Sequence, residues 1–293
     1  MKAAPRSSPL VPRSDTSRGP RITTARFLRS ELRLIAGRRR NQAGLLVLIA
    51  MPVLLAVAVR LTEDNPRGGG PPGFIDQIVG NGVFVAFAAL TFEITIFFPL
   101  AISMISGDAI AGEAHSGTLR YLLTVPAGRV RVLTVKYLGI VAGSLVAAFA
   151  VAIVGAAVGT TIFGTGSLTT LSGTQIPLGT GLGRLALSTA YVALGLCALG
   201  AVGLFLSTLT EQPIAATVAL MVVTSAMWVL DAIPQLSGLH PWLLVDKWPA
   251  FADLMRDPPD YSAVTQGALV DLGYIAVFLL AAWARFAGKD ITS

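Results

Sequence analysis

Long apolar stretches, each near the roughly 20 residues a helix needs to cross a hydrocarbon layer, alternate with short polar segments along this chain. They run near 43–60, 82–106, 137–163, 185–207, 213–231 and 267–286, and predict six transmembrane helices. The second and third exceed the minimum, so one end of each is expected to project beyond the bilayer or to tilt within it. Ahead of the first stretch, Ala25, Leu28, Leu32 and Ile35 recur at three- and four-residue spacing, with Arg26, Arg29 and Arg33 on a neighbouring face. Over 21–40 this pattern predicts an amphipathic helix lying on the membrane surface. A positively charged flank of the first span would explain the arginines without the periodicity. Residues 1–20 are rich in Pro, Ser and Arg and lack the apolar core of a secretory signal, which reads as a disordered basic tail. The expected fold is all-α, with a six-span membrane domain over 41–286 and a short tail over 287–293.

Composition agrees with a bilayer as the main solvent, since 54% of the 293 residues are hydrophobic and 13% charged. The net charge of +6 does not point to nucleic acid, because the basic residues sit in the N-terminal region and beside apolar spans, where lipid headgroups are nearer. With the N-terminus inside, seventeen of the twenty-two Lys and Arg residues are cytoplasmic, and both termini are expected there. The opposite loops hold Glu63, Asp64, Asp76, Asp246, Asp253, Asp257 and Asp260, with Trp242 and Trp248 available as interface anchors. A cell membrane, bacterial inner or plasma membrane, is the expected location. Between the last two spans, Pro234, Pro241, Pro249, Pro258 and Pro259 interrupt apolar pieces, which reads as short outer helices, a re-entrant cap or an ordinary outer loop.

Inside the spans, Gly139 with Gly143 and Gly155 with Gly159 form two small-xxx-small pairs on the third helix, suited to close approach by a helix of the same chain or of a second copy. Glu93 lies near the middle of the second span, in TFEITIFFPL. Two readings stand: a protonated acid bonded to a neighbouring helix, or a polar point on a substrate or proton path. Arg184 and Asp271, near the outer ends of the fourth and sixth spans, are expected to snorkel to the interface. Catalytic signals are missing. His115 and His240 lack the paired spacing of a metal site, and Cys197 is the sole cysteine. The run Gly68 to Gly73 lacks a following Lys-Ser or Lys-Thr, Gly288-Lys289-Asp290 lacks the hydroxyl residue of a P-loop, and no serine elbow or zinc-protease motif occurs. The chain is expected to be no enzyme and to bind no cofactor or metal of its own.

The polar segment between the second and third spans carries the functional information. It reads GDAIAGEAHSGTLRYLLTVPAGRVRVLTVK over 107–136, without an acidic residue after Glu113. Thr118 can cap a short helix with Leu119, Leu122 and Leu123 as an apolar edge, and Pro126 ends it. An exposed apolar edge calls for a cover, either a partner protein or the membrane surface. In order and spacing, Asp108, Glu113, Gly117-Thr118-Leu119-Arg120, Pro126, Arg129 and Lys136 resemble the signature of the ABC-2 type transporter permeases. The resemblance extends to the basic amphipathic helix, the six-span plan and the Phe286-x-x-Lys289-Asp290-Ile291 ending. Ala114-His115-Ser116 departs from it, since many members carry charged residues there.

The resemblance implies a membrane subunit of an ATP-binding cassette exporter, with ATP and Mg bound by a separate ATPase subunit, two copies of which would pair with two permeases. The second permease would be a copy or a homologue. A cytoplasmic coupling helix around Glu113 to Leu123 would dock on the ATPase through Asp108, Glu113, Gly117, Thr118, Leu119, Arg120, Leu122 and Leu123. Export of a lipophilic compound, drug or lipid by alternating access is the expected activity, with Glu93 on the candidate substrate path. Two other classes fit the chain: a non-transporting membrane module acting on a partner protein, and an ATP-independent secondary transporter.

Overall fold

The computed structural model describes residues 24–63, 81–117, 129–166, 168–170 and 172–288. Its helices are α1 (Thr24–Gly37), α2 (Arg39–Glu63), α3 (Phe84–Thr95), α4 (Phe97–His115), α5 (Arg129–Phe163), α6 (Leu178–Leu209), α7 (Pro213–Asp231) and α8 (Ser262–Ala287). Two short antiparallel strands, β1 (Leu168–Thr169) and β2 (Gln175–Ile176), and 3₁₀ turns at Pro234–Leu236, His240–Trp242 and Trp248–Met255 complete it. Among the described residues five helices are long and apolar enough to cross a membrane, and the bent pair α3–α4 makes a sixth span if counted as one. The chain is therefore a nearly all-helical, multi-pass membrane protein.

Helix α6 forms the axis. In its most apolar stretch 78% of residues are buried, against 17–39% in the other four single-helix spans, so those four present apolar flanks outward around it. On α7 these flanks include Ile214, Val218 and Val222, spaced one helical turn apart. Small residues on α6 let its neighbours close in. A Cβ at Gly203 would run into the Ser106 hydroxyl of α4, and one at Gly200 into Ile140 of α5. The core around them contains Phe98, Ile102, Leu196, Leu199, Leu204 and Leu220.

The second predicted span, 82–106, is not one straight helix. It bends by 56° between α3 and α4, at Ile96. Pro99 supplies the cause, because its ring would collide with the Thr95 carbonyl in a continuous helix and it has no N–H to give. A new ladder begins with the Leu100 amide donating to Ile96. The third span also begins earlier than its apolar run, since α5 has 35 residues, about 52 Å at 1.5 Å each, and carries Arg129 to Lys136 as its first turns.

The glycine pairs of α5 pack within the chain. Gly155 lies against the backbone of Ala86 and Gly159 against that of Gly82, so α3 meets α5 with almost no side chain between them. Gly139 faces Ile35 and Glu31 of α1, and Gly143 faces Ile105 of α4. Helix α1 and helix α2 meet at Arg38, where the side-chain amides of Asn41 and Gln42 donate to the Ile35 and Ala36 carbonyls at 2.9 and 2.8 Å. Those carbonyls would otherwise end α1 without partners, so the elbow is closed by its own sequence.

At the end of the bundle remote from this elbow, Trp248–Met255 packs on α6, with Trp248, Phe251, Leu254 and Met255 buried. The predicted disordered tail, the Gly68 to Gly73 run and the predicted coupling-helix residues Thr118, Leu119, Arg120, Leu122 and Leu123 lie outside the described residues.

Candidate functional site

The segment Gly107 to Glu113 is the second half of α4, wedged between α6 and α7. Gly107 is required by proximity, because a Cβ there would stand 2.6 Å from the Thr217 hydroxyl and 2.9 Å from the Thr217 amide nitrogen. From α6, the buried Ser207 hydroxyl reaches into the helix backbone. It accepts from the amides of Ile110 and Ala111 at 3.0 and 2.9 Å and donates to the Gly107 carbonyl at 2.8 Å. One hydroxyl thereby uses both lone pairs and its proton on a single turn of α4.

The two acidic residues of the motif emerge just beyond this clamp. Asp108 folds its carboxylate over Gly112, where a Cβ would stand 2.6 Å from Oδ1. It is ion-paired with Arg38 at the elbow and with Arg40 Nη2 at 3.1 Å, and Arg40 also donates to the Met104 carbonyl. Glu113 accepts from Lys136 Nζ at 2.8 Å, while Lys136 reaches both carboxylate oxygens of Glu31 at 3.0 Å. Lys136 is 3% exposed, Glu31 8% and Glu113 14%, so this is a buried ion group and not a surface pair. Three carboxylates face three cations in these pairs, and a crevice lined by Glu31, Arg38, Asp108 and Lys136 joins the two sets.

The arrangement fastens four helices at one end. Glu31 belongs to α1, Arg40 to α2, Asp108 and Glu113 to α4, and Lys136 to α5. Glu113 and Lys136 also bracket the connection from α4 to α5, which contains residues 118–128 outside the described set. Of the expected docking residues, the structure brings Asp108 and Glu113 together in this cluster and puts Gly117 at the turn that ends α4, in a left-handed conformation with φ 71°.

Glu93 is fully buried in the last turn of α3, directly before the bend, and neither carboxylate oxygen has a hydrogen-bond partner among the described residues. The expected snorkelling of Asp271 does not occur. Helix α8 begins at Ser262, which sets Asp271 about 13 Å from its start, too deep for a short side chain to reach the end, and it is 2% exposed. Arg184 is engaged as well: it donates to the Arg256 carbonyl at 2.8 Å and to Asp257 Oδ1 at 3.1 Å. Asp257 further accepts from Thr174 at 3.0 Å, and its amide donates to Ser172. The Arg184 and Thr174 hydrogen bonds hold the Asp257 carboxyl below the usual carboxylate range. His240 contacts the Ile233 carbonyl, and no group of three His, Cys, Asp or Glu side chains is disposed for a metal among the described residues.

Sequence reasoning missed Glu31, Arg38, Arg40 and Ser207 as partners of the motif. For Glu31 a signal existed: three residues after Leu28 and four before Ile35, it sits inside the apolar stripe of α1.

A family model described as ABC-2 family transporter protein matches residues 35–291. The chain is also 36% identical over 93 residues to the probable ABC transporter permease protein NosY of Pseudomonas aeruginosa, covering 31% of this chain and 32% of that protein. The protein of the same name from Stutzerimonas stutzeri is 34% identical over 93 residues, with the same coverage. The match thus spans about a third of the length of these curated relatives.

Proposed function

Because the chain belongs to the ABC-2 transporter family, we propose that it is the permease subunit of an ATP-binding cassette transporter, driven by an ATPase on a separate chain. The observation that carries this reading is the ion pair between Glu113 and Lys136, which bridges the two ends of the 116–128 connection. A partner bearing on that connection delivers its displacement to α4 and α5 together, and through Glu31 to α1. Asp108 and Glu113 then serve the docking site from behind, by fixing its base, while Gly117, Thr118, Leu119, Arg120, Leu122 and Leu123 supply the contact surface.

Two ATPases act on two permeases, this chain pairing with a copy or homologue, and closure of the ATPases rocks the permeases between two states. The cluster lies on the cytoplasmic side, with both termini. The transported compound is lipophilic or cationic and moves outward. Glu93, an acidic group in an apolar surround beside a helix break, supports that class.

The test is co-purification of the C-terminally tagged permease from mild detergent. A stoichiometric ATP-binding subunit is expected, lost in Leu122→Ala and weakened in Arg120→Glu. An intact permease that never brings down such a subunit overturns the assignment.

A further inference from the structure

At the arginine-bearing end of the bundle, α2, α4 and α5 border a groove that shares only Arg40 with the cluster above. Its volume is about 380 Å³, within the roughly 300–1,000 Å³ range of small-molecule sites. The floor is apolar, formed by Leu45, Leu48, Ala101, Ile105, Ala142 and Val146, and α1 crosses the end of it. The mouth is polar, with Arg40, Asn41 and Gln42 at the elbow. From Arg40 to Leu48 the groove follows about 12 Å of α2 at 1.5 Å per residue.

The polarity therefore runs in one direction, charged at the elbow and hydrocarbon-like along the spans. Two further observations concern the mouth. Asn41 Oδ1 is buried there without a hydrogen-bond partner among the described residues, its Nδ2 being bonded to Ile35, so it is an acceptor open to a headgroup hydroxyl. Around the elbow, Arg26, Arg29, Arg33 and Arg39 point into solvent, while the single carboxylate of this stretch, Glu31, is consumed by Lys136. At the elbow itself Arg38, Arg39 and Arg40 stand against one carboxylate, Asp108, so the mouth keeps a net positive charge, with Arg39 exposed next to the groove-lining Arg40.

We propose that the groove binds one anionic phospholipid, an acyl chain lying along Leu45 and Leu48 and the headgroup phosphate held at the arginines of the α1–α2 elbow. The lipid fills the space between α2 and α5 and joins α1 to the spans. Gly44 makes the site testable. It lines the groove, and a Cβ there meets nothing within 4 Å, so a larger side chain plugs the groove without displacing its neighbours.

The full-length permease is reconstituted in vesicles of equal parts phosphatidylglycerol and phosphatidylcholine, extracted in mild detergent, and its retained lipid is counted by native mass spectrometry. Wild type is expected to keep one phosphatidylglycerol per chain. Gly44→Leu loses it with an unchanged thermal midpoint, and Arg33→Gln combined with Arg39→Gln keeps a lipid without preference for phosphatidylglycerol. Ala142→Leu plugs the groove from α5 and reports the same loss if Gly44→Leu folds poorly. The proposal is overturned if the folded plugged variants retain the lipid as wild type does, or if wild type retains phosphatidylcholine equally or no lipid at all.

Discussion

Lys136 Nζ stands 2.8 Å from Glu113 Oε1 across the connection between α4 and α5, and the same nitrogen reaches back to Glu31 of α1. One ammonium thus satisfies two carboxylates in a place with little water. Removing it takes the cation from Glu31 and one of its partners from Glu113. Lys136→Met is expected to lower stability by about 3–5 kcal/mol, the cost of breaking a buried pair from one side. Neutralising the acids in the same chain, with Glu31→Gln and Glu113→Gln, should recover most of the loss. Thermal unfolding of the three proteins in one detergent checks this; equal midpoints for Lys136→Met and wild type would show that the pair contributes nothing.

Ser207→Ala deletes the hydroxyl that serves Ile110, Ala111 and Gly107. The expected loss is about 1–3 kcal/mol, because those backbone groups stay buried. Cysteine substituted at the same position keeps part of the bonding and should fall between. Faster amide exchange at Ile110 and Ala111 in the alanine variant, with α8 unaffected, is the specific signature.

Glu93 has no partner among the described residues, so stability and transport should move in opposite directions when it is replaced. Glu93→Met is expected to raise the thermal midpoint, by an amount corresponding to about 1–3 kcal/mol for a polar group no longer buried unpaired. Substrate transport in vesicles should drop in Glu93→Met and in Glu93→Gln while the ATPase still co-purifies. Full transport by both variants returns Glu93 to a packing role.

Asp257 ties the β1–β2 hairpin to α6 through Thr174 and Arg184, and those bonds depress its pKa. A depressed folded value means that its contribution is complete above the unfolded Asp value of about 3.9 and fades as pH falls through the lower folded value. Hairpin amides around Thr170 and Gly173, corrected for intrinsic exchange, should therefore lose protection only below about pH 4. Asp257→Asn should show the loosened state at every pH, and an acid-independent hairpin in wild type would exclude the linkage.

The span plan was legible because long apolar runs leave few alternatives in hydrocarbon, where backbone groups must bond within their own helix. Helix ends were less so. Residues 178–184 and 129–136 extend α6 and α5 although the first holds Gly179, Gly181 and Gly183 and the second Arg129, Arg131 and Lys136, since helical bonding continues past the point where hydropathy falls. The bend before Pro99 had a local cause in the sequence, yet the unbroken apolar run concealed it. The cluster divided in the same way. Asp108, Glu113 and Lys136 stand out by their spacing in one segment, but the partners of Asp108 and Lys136 on α1 and α2 lie over sixty residues upstream, and no periodicity pairs Glu31 with Lys136. Ser207 gave no signal at all, because a lone serine in an apolar helix resembles any other.

The seam between α3 and α5 also bears on heredity. Gly82 and Gly159 touch through their backbones, and each would drive a Cβ into the peptide of the other. Every amino acid reached from a glycine codon by one base change carries a Cβ, so no missense mutation at either codon is silent to the fold. Compensation cannot come from the opposite residue, which has no side chain to shorten. Only third-base changes, which keep glycine, leave the seam untouched, and a lineage that keeps this seam has to keep both glycines through selection alone.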